Sequence, residues 1–283
     1  MILITGASGT NGREIVKLLT QQGLPVRVLL KDPAKAAGLD GVEVVLGDFD
    51  DPSSLEKALT GVEKALLLPP FHPKIVEYQT NFINAAKKVG TSYIVKFSAF
   101  GADPNSPIIL GRWHGEGEKL LAESGIPFTN LQPNGFMQNL FTSASTIVGQ
   151  GVFYQPAADA LISHVDARDI AVVAAKVLTE SGHEGKSYVI TGPEALSFYQ
   201  IAEKLSAVLG KPITYVPVTG EDFKQSLLGF GQPEWAIDAL NELFDIYRLG
   251  YAATVTDVIQ TVGQKSPNTF DQFIRDYTSS FVE

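Results

Sequence analysis

Cysteine is absent from the 283 residues. Its absence removes disulfides, thiolate nucleophiles, iron–sulfur clusters and cysteine-based zinc sites together, and it suits a reducing compartment. Histidine is scarce: His72, His114, His164 and His183 stand far apart, with no metal-ligand spacing among them, so no metal is expected. Positive charge is in the minority, 22 Lys+Arg against 31 Asp+Glu, for a net charge of −9. That balance argues against DNA or RNA as a partner, while leaving room for a local basic pocket around one phosphate. Long apolar runs are missing too. The stretch 65–71 is short and holds two prolines, far below the ~18 residues of a membrane-spanning helix. The first apolar residues run straight into Thr5-Gly6 without a basic leader, so a cytoplasmic protein with no membrane partner is expected. With 45% apolar and 19% charged residues, the chain has material for a sizeable core and disorder is excluded.

What is present alternates. Short apolar runs at 2–5, 26–30, 42–46, 65–68, 93–97 and 128–131 are separated by helical stretches at 13–22, 53–59, 74–89 and 112–124, the spacing of βαβ units. The runs lack polar alternation, as strands buried on both faces do, so an α/β fold with a doubly wound parallel sheet is expected. A further strand at 187–191 returns to the sheet after a helix at 170–179. Helices at 199–209, 221–228, 234–248 and 269–281, around a short strand at 213–216, read as a smaller, mostly helical C-terminal lobe. The expected division assigns 1–150 plus 164–195 to the sheet domain and 151–163 plus 196–283 to a lobe that caps the substrate. Asp166 and Asp169 stand just before an apolar helical run and read as a helix start, not as paired catalytic carboxylates. A hydrolase Gly-x-Ser-x-Gly elbow is absent.

Between the first strand and the first helix lies Thr5-Gly6-Ala7-Ser8-Gly9-Thr10-Asn11-Gly12-Arg13. Glycines at 6, 9 and 12 permit tight backbone geometry and close approach of a pyrophosphate. The amides at the helix start, near Ser8, Thr10 and Asn11, then face its negative charge. A glycine triplet alone is a weak signal; its place inside a βαβ unit makes it strong, and no Gly-Lys-Ser/Thr succeeds it that would suit a mononucleotide P-loop. A dinucleotide is the expected ligand. The end of the second strand decides which one: an acidic residue there meets the ribose of NAD, a basic one the 2′-phosphate of NADP. Lys31 and Lys35, with Arg13 across the turn, can surround a phosphate, which favours NADP(H). Asp32 keeps NAD(H) open, and solvated surface lysines remain the plain alternative. Asp48 and Phe49, after the third strand, suit the edge and face of an adenine, or else a solvated loop carboxylate and a core ring.

Several blocks together carry a resemblance. The turn Thr5 to Gly12, Gly47-Asp48-Phe49-Asp50, Lys96-Phe97-Ser98-Ala99 and Arg112-Trp113-His114 leading into Glu118 are similar to the NmrA-like branch of the atypical short-chain dehydrogenases/reductases. Pro133-Asn134-Gly135-Phe136-Met137-Gln138-Asn139 and His164-Val165-Asp166-Ala167-Arg168-Asp169 extend the likeness over nearly the whole chain. The resemblance implies a Rossmann domain that binds NAD(P). Such relatives include NAD(P)H-dependent quinone and dye reductases, and also regulators that bind dinucleotide without turning it over.

Ordinary members of that superfamily carry Tyr-x-x-x-Lys on the helix after the fifth strand, the lysine lowering the phenol pKa while a serine at the strand end orients the substrate. Here His114 takes the tyrosine place and Glu118 the lysine place, and Ser98 remains. Either His114 is the acid–base group, with Glu118 four residues on to support its imidazolium, or hydride goes directly to an electrophile and solvent supplies the proton. A third reading leaves His114 without a role. Lys96 is an odd residue for a buried strand; it reaches a ribose or substrate, or its ammonium snorkels out. Leu68-Pro69-Pro70-Phe71 offers few backbone donors and makes a stiff apolar lip, with Leu68 and Pro69 against the cofactor. Phe71, Phe100, Trp113, Asn134, Phe136 and Met137 come after strand ends and suit a pocket for a flat aromatic substrate, or in part a core between lobes. The expectation is a reductase that uses NADPH to reduce a small quinone-like or aromatic acceptor. The alternative is an NAD(P)-sensing regulator without turnover, whose lobe binds a protein partner.

Overall fold

The apolar runs become parallel strands because each is flanked by helices whose buried stripes cover one face of the sheet. The structure, a computed structural model, describes residues 1–282. In chain order, β1 (Ile2–Ile4), α1 (Thr10–Gln21), β2 (Val26–Leu30) and β3 (Glu43–Leu46) are succeeded by α2 (Pro52–Leu59) and β4 (Lys64–Leu67). Then come α3 (Ile75–Val89), β5 (Tyr93–Phe97), α4 (Ile109–Glu123) and β6 (Phe128–Pro133). After α5 (Ala144–Gln150) and β7 (Val152–Gln155) the chain forms α6 (Ala167–Thr179) and β8 (Lys186–Ile190). The remainder holds α7 (Phe198–Leu209), β9 (Thr214–Pro217), α8 (Gly220–Gly229), α9 (Glu234–Arg248), α10 (Val258–Thr261) and α11 (Phe270–Asp276).

The chain divides into two compact units, 1–133 with 167–190 and 258–264, and 134–166 with 191–257 and 265 onward. In the first, seven parallel strands run in the order β3-β2-β1-β4-β5-β6-β8. The order reverses between β1 and β4, which makes the carboxyl ends of those strands the ligand-binding edge of an open α/β sheet. Leu3, Leu29, Leu67 and Ile94 pack with Leu55, Leu59, Phe82 and Leu121 from α2, α3 and α4. α6 lies against β4, β5 and β6 and packs beside α1. Asp51 caps α2 by accepting from the Ser53 N–H, with Pro52 at the first helical position.

The division falls at Pro133 and not at residue 150, a correction to the expected boundary. Pro133 is the last rung of the ladder, opposite Ile190. The next segment packs elsewhere: Met137, Leu140 and Ile147 sit in the core of the second unit with Phe153, Ile201 and Phe273. That unit is helical apart from β7 and β9, which pair in parallel; β7 is not legible in the sequence, since four residues leave little room for a pattern. The expected helix 269–281 stops at Asp276 and continues as a 3-10 turn at Thr278–Ser280. Among the described residues no helix is long and apolar enough to cross a membrane.

Phe82 is fully buried beneath Phe49, their ring centroids 6.2 Å apart. Phe82→Ala is expected to cost about 3–5 kcal/mol, read as a lowered midpoint in urea denaturation.

Candidate active site

The glycine turn is built by close contact. Gly6 adopts φ +65°, a left-handed backbone that disfavours other residues, and a Cβ there would meet Leu68 at 2.7 Å. A Cβ on Gly12 would lie 2.1 Å from the Gly6 carbonyl oxygen, so only hydrogen fits. Thr5 ties the turn to β4: its hydroxyl donates to the Leu66 carbonyl at 2.9 Å and accepts from the Leu68 N–H at 2.7 Å. Gly9 precedes α1 and carries no side chain to satisfy the first-turn amides, and no acidic residue stands in that turn. An uncapped helix start with bare glycines beneath it suits a phosphate anion. The Asn11 Oδ1 is buried with no hydrogen-bond partner among the described residues, a polar atom that a bound dinucleotide would satisfy. The residues present fit NAD(P)H.

The surroundings of the turn are more committed than the sequence suggests. Arg13 donates from Nε to the Ser8 carbonyl at 3.1 Å and from Nη1 to the Ala37 carbonyl at 3.0 Å. It thereby fastens the turn to the segment that bears Lys35. Lys31 Nζ pairs with Asp48 Oδ2 at 2.5 Å while largely exposed, and this raises the Lys31 pKa. Asp32 accepts from the Ala34 N–H at 2.9 Å and caps the 3-10 turn holding Lys35. Phe49 lies in the core, its ring 5.7 Å from Tyr78. Leu68 faces Gly6, and Pro69 is buried.

At the end of β5 four side chains converge. Lys96 has no exposed surface, and its Nζ donates to the Ser98 hydroxyl at 3.0 Å and lies 3.4 Å from His114 Nδ1. Ser98 in turn donates to Glu118 Oε1 in a short bond. Gln132 Nε2, from β6, reaches both Glu118 oxygens at 2.9 and 3.1 Å. Burial lowers the Lys96 pKa to about 7, and the charge of Glu118 opposes that shift. Burial and then the Lys96 charge hold His114 well below its ordinary value. This corrects the expected pairing: Glu118 is engaged by Ser98 and Gln132, and His114 meets an amine. An imidazolium is disfavoured there, and the group that titrates near neutrality is Lys96. A bond donated by Lys96 to Nδ1 corresponds to the neutral tautomer that carries its proton on Nε2.

This geometry can be set beside known proteins. The model of the NmrA-like family matches residues 1–274. The chain belongs to the NmrA-like family. It is 41% identical over 283 residues to the NAD(P)H azoreductase of Xenophilus azovorans, covering 99% of both. It is 37% identical over 245 residues to quinone oxidoreductase 2 of Escherichia coli K12, covering 85% of each. Among solved structures, an NADPH-dependent quinone oxidoreductase of Escherichia coli complexed with NADPH superposes with a TM-score of 0.89, at 32% identity, over 98% of this chain and 100% of that one. The triphenylmethane reductase of Citrobacter sp. complexed with NADP(H) gives 0.85 at 28% identity, covering 98% and 99%.

The remaining candidates of this NmrA-like chain fall into separate groups. Phe71 is 44% exposed and its ring lies 6.1 Å from Trp113; Phe100 is half-buried, its N–H bound to the Pro133 carbonyl at 3.0 Å. These three belong to the first unit. Asn134, Phe136 and Met137 belong to the second. Asn134 is buried and spent on the Ser163 hydroxyl and the Ala252 carbonyl, both at 2.8 Å, which makes it a turn-fixing residue. Phe136 and Met137 border a cavity of that unit. Gln132 escapes sequence reasoning, because a single glutamine in an apolar run carries no motif. Among the described residues no three His, Asp or Glu side chains cluster as a metal would require.

A lysine held at about 7 in the folded protein and near ~10.4 unfolded binds fewer protons in the native state across that interval, so stability rises with pH through it and is flat below. Lys96→Met is therefore expected to stabilise more at pH 6 than at pH 9.5, by about 2–3 kcal/mol, in urea denaturation at the two pH values. An equal gain at both would contradict the buried, depressed amine.

Proposed function

We propose that the protein is an NAD(P)H-dependent reductase that passes hydride to an apolar, conjugated acceptor of the quinone class, with NADP(H) preferred. The observation that carries this reading is the convergence of Lys96, Ser98 and His114 at the carboxyl end of β5, on the sheet edge whose opening turn is bare enough for a pyrophosphate. The azo, quinone and dye reductases among the relatives support the acceptor class.

When bound, the dihydronicotinamide supplies the hydride, two electrons with one hydrogen. The chain supplies the rest. Amides at the start of α1 hold the pyrophosphate, and Lys31 and Lys35 meet the 2′-phosphate, with Lys31 exchanging Asp48 for a more highly charged partner. Reduction of a quinone also needs a proton on oxygen. Lys96, whose ammonium deprotonates near pH 7, donates it through His114: Nε2 gives its proton to the acceptor oxygen while Nδ1 takes one from Lys96 Nζ. Glu118, held by Ser98 and Gln132, takes no part in the relay; its charge favours the return of the neutral amine to the ammonium form when solvent supplies a proton. The phenol of ordinary relatives is thus replaced by an imidazole backed by an amine from the neighbouring strand.

Purified protein with NADPH and a panel of quinones should oxidise NADPH faster than the uncatalysed reaction, with kcat falling as pH rises through ~7. In Lys96→Met, kcat should fall by about 10²-fold with NADPH affinity retained, and the pH dependence should vanish. An unchanged profile in that variant would return proton delivery to solvent. Saturable NADPH binding with no turnover across the panel would sink the reductase reading in favour of a sensor.

Cofactor preference has its own test. Replacing Lys31 and Lys35 together by alanine should weaken NADPH binding about 10-fold and leave NADH within twofold, by calorimetry. Equal losses for both nucleotides would remove the phosphate pocket.

A further inference from the structure

Three glycines stand within α4, at 111, 115 and 117, although glycine weakens a helix interior more than any residue but proline. Each is explained by a close neighbour. A Cβ at Gly111 would overlap the Ser106 hydroxyl, and one at Gly115 the backbone of Asp103 and Pro104. Two positions on, and so about 200° round the helix, Gly117 faces α3, where a Cβ would overlap the side-chain oxygen of Gln79. α4 is thus seated tightly on two sides, and the same helix carries His114 and Glu118.

Gln79 is fully buried in α3. Its Nε2 donates to the Ile75 carbonyl at 3.1 Å, one turn back in its own helix, and to the Trp113 carbonyl of α4 at 3.3 Å. That second carbonyl belongs to the peptide unit whose nitrogen is that of His114. The Gln79 Oε1 is buried with no hydrogen-bond partner among the described residues. For packing alone such an amide is a poor choice: the orphan oxygen costs stability, and an apolar side chain of similar length fills the same space without it. Both carbonyls lie inside helices, where the amide four residues on is the regular partner, so neither requires the glutamine. What the amide adds is a directional hold on the peptide from which the imidazole springs.

We infer that Gln79 is a positioning residue: it holds the Trp113–His114 peptide against α3 and so fixes the depth of α4 at which His114 Nδ1 meets Lys96 Nζ. Gly111 and Gly115, pressed on the 103–106 segment, set the other side of the same seat. The contact tolerates little slack, since Nδ1 and Nζ are 3.4 Å apart, already long for a hydrogen bond. Lys96, from β5, is the charged group that bears on the imidazole, and Glu118 the one that bears on Lys96. Without the hold, water enters and the amine recedes. Both causes of the low imidazole pKa, burial first and then the Lys96 charge, are then relaxed. The effect on turnover rests on the relay proposed above; the placement of the imidazole does not.

The test compares wild type with Gln79→Met, which keeps the length of the side chain and removes its polar atoms, and with Gln79→Glu. Imidazole NMR on the free protein, with His114 assigned through His114→Phe, should show the wild-type ring neutral down to about pH 5 and the Gln79→Met ring titrating near its ordinary ~6.5. With NADPH and a quinone, kcat should fall roughly 10- to 100-fold in Gln79→Met. KM and NADPH affinity should stay within twofold, and the urea midpoint should be unchanged or raised. Gln79→Glu restores a donor while its buried carboxyl is protonated, so at about pH 5.5 its kcat should return to within a few-fold of wild type. An imidazole unmoved in Gln79→Met, no recovery in Gln79→Glu, or a Gln79→Met chain that does not fold would mark a packing residue and overturn the assignment. A shifted imidazole with unchanged kcat would uphold the placement and overturn the relay. Wild-type protein that oxidises no NADPH would end the reductase reading, and the imidazole signal would still decide the role of Gln79.

Discussion

The first turn of α1 rests so closely on the exit of β1 that a methyl group at Gly12 would overlap the Gly6 carbonyl. That contact brings the unsatisfied amides of a helix start down to the level of the sheet's carboxyl edge. Because Thr5 bonds both the Leu66 carbonyl and the Leu68 N–H, the exit of β4 is held against the same turn. The switch point of the strand order, the uncapped helix and the stiff Leu68-Pro69 segment are thus one arrangement, and it comes apart if the glycines acquire side chains.

The second constraint is electrostatic. A strand whose neighbours are fully buried carries a lysine with no exposed surface, which disfavours its charge. The chain offsets this with a hydroxyl, an imidazole and a nearby carboxylate, and the product is an amine that releases its proton near neutrality. The helix that lacks the usual tyrosine and lysine regains a nitrogen base from β5, one strand away in the fold and 18 residues away in sequence. The depressed basicity of His114 stems in part from the same amine, so the two groups act as a couple and not as independent acids.

Much of the fold is legible from local pattern. β2, β5 and α9 match the expected spans residue for residue, because long runs and strong periodicity dominate short-range choices. β7 is not visible in four residues, and the unit boundary moves to Pro133 because the segment 134–150 succeeds the ladder in sequence but packs in another core. In the site, Lys96, Ser98 and His114 are identifiable individually. Their partners are not: Glu118 turns from His114 to Ser98, Lys31 turns to Asp48, and Phe49 goes to the core.

By itself the sequence determined the α/β class, the dinucleotide turn and the departure from Tyr-x-x-x-Lys, since each is written in neighbouring residues and in backbone freedom that only glycine supplies. Tertiary structure alone decided which groups pair and which proton is labile near pH 7. Desolvation and charge–charge coupling depend on distances between residues remote in the chain, and those distances exist only once the sheet and helices have packed.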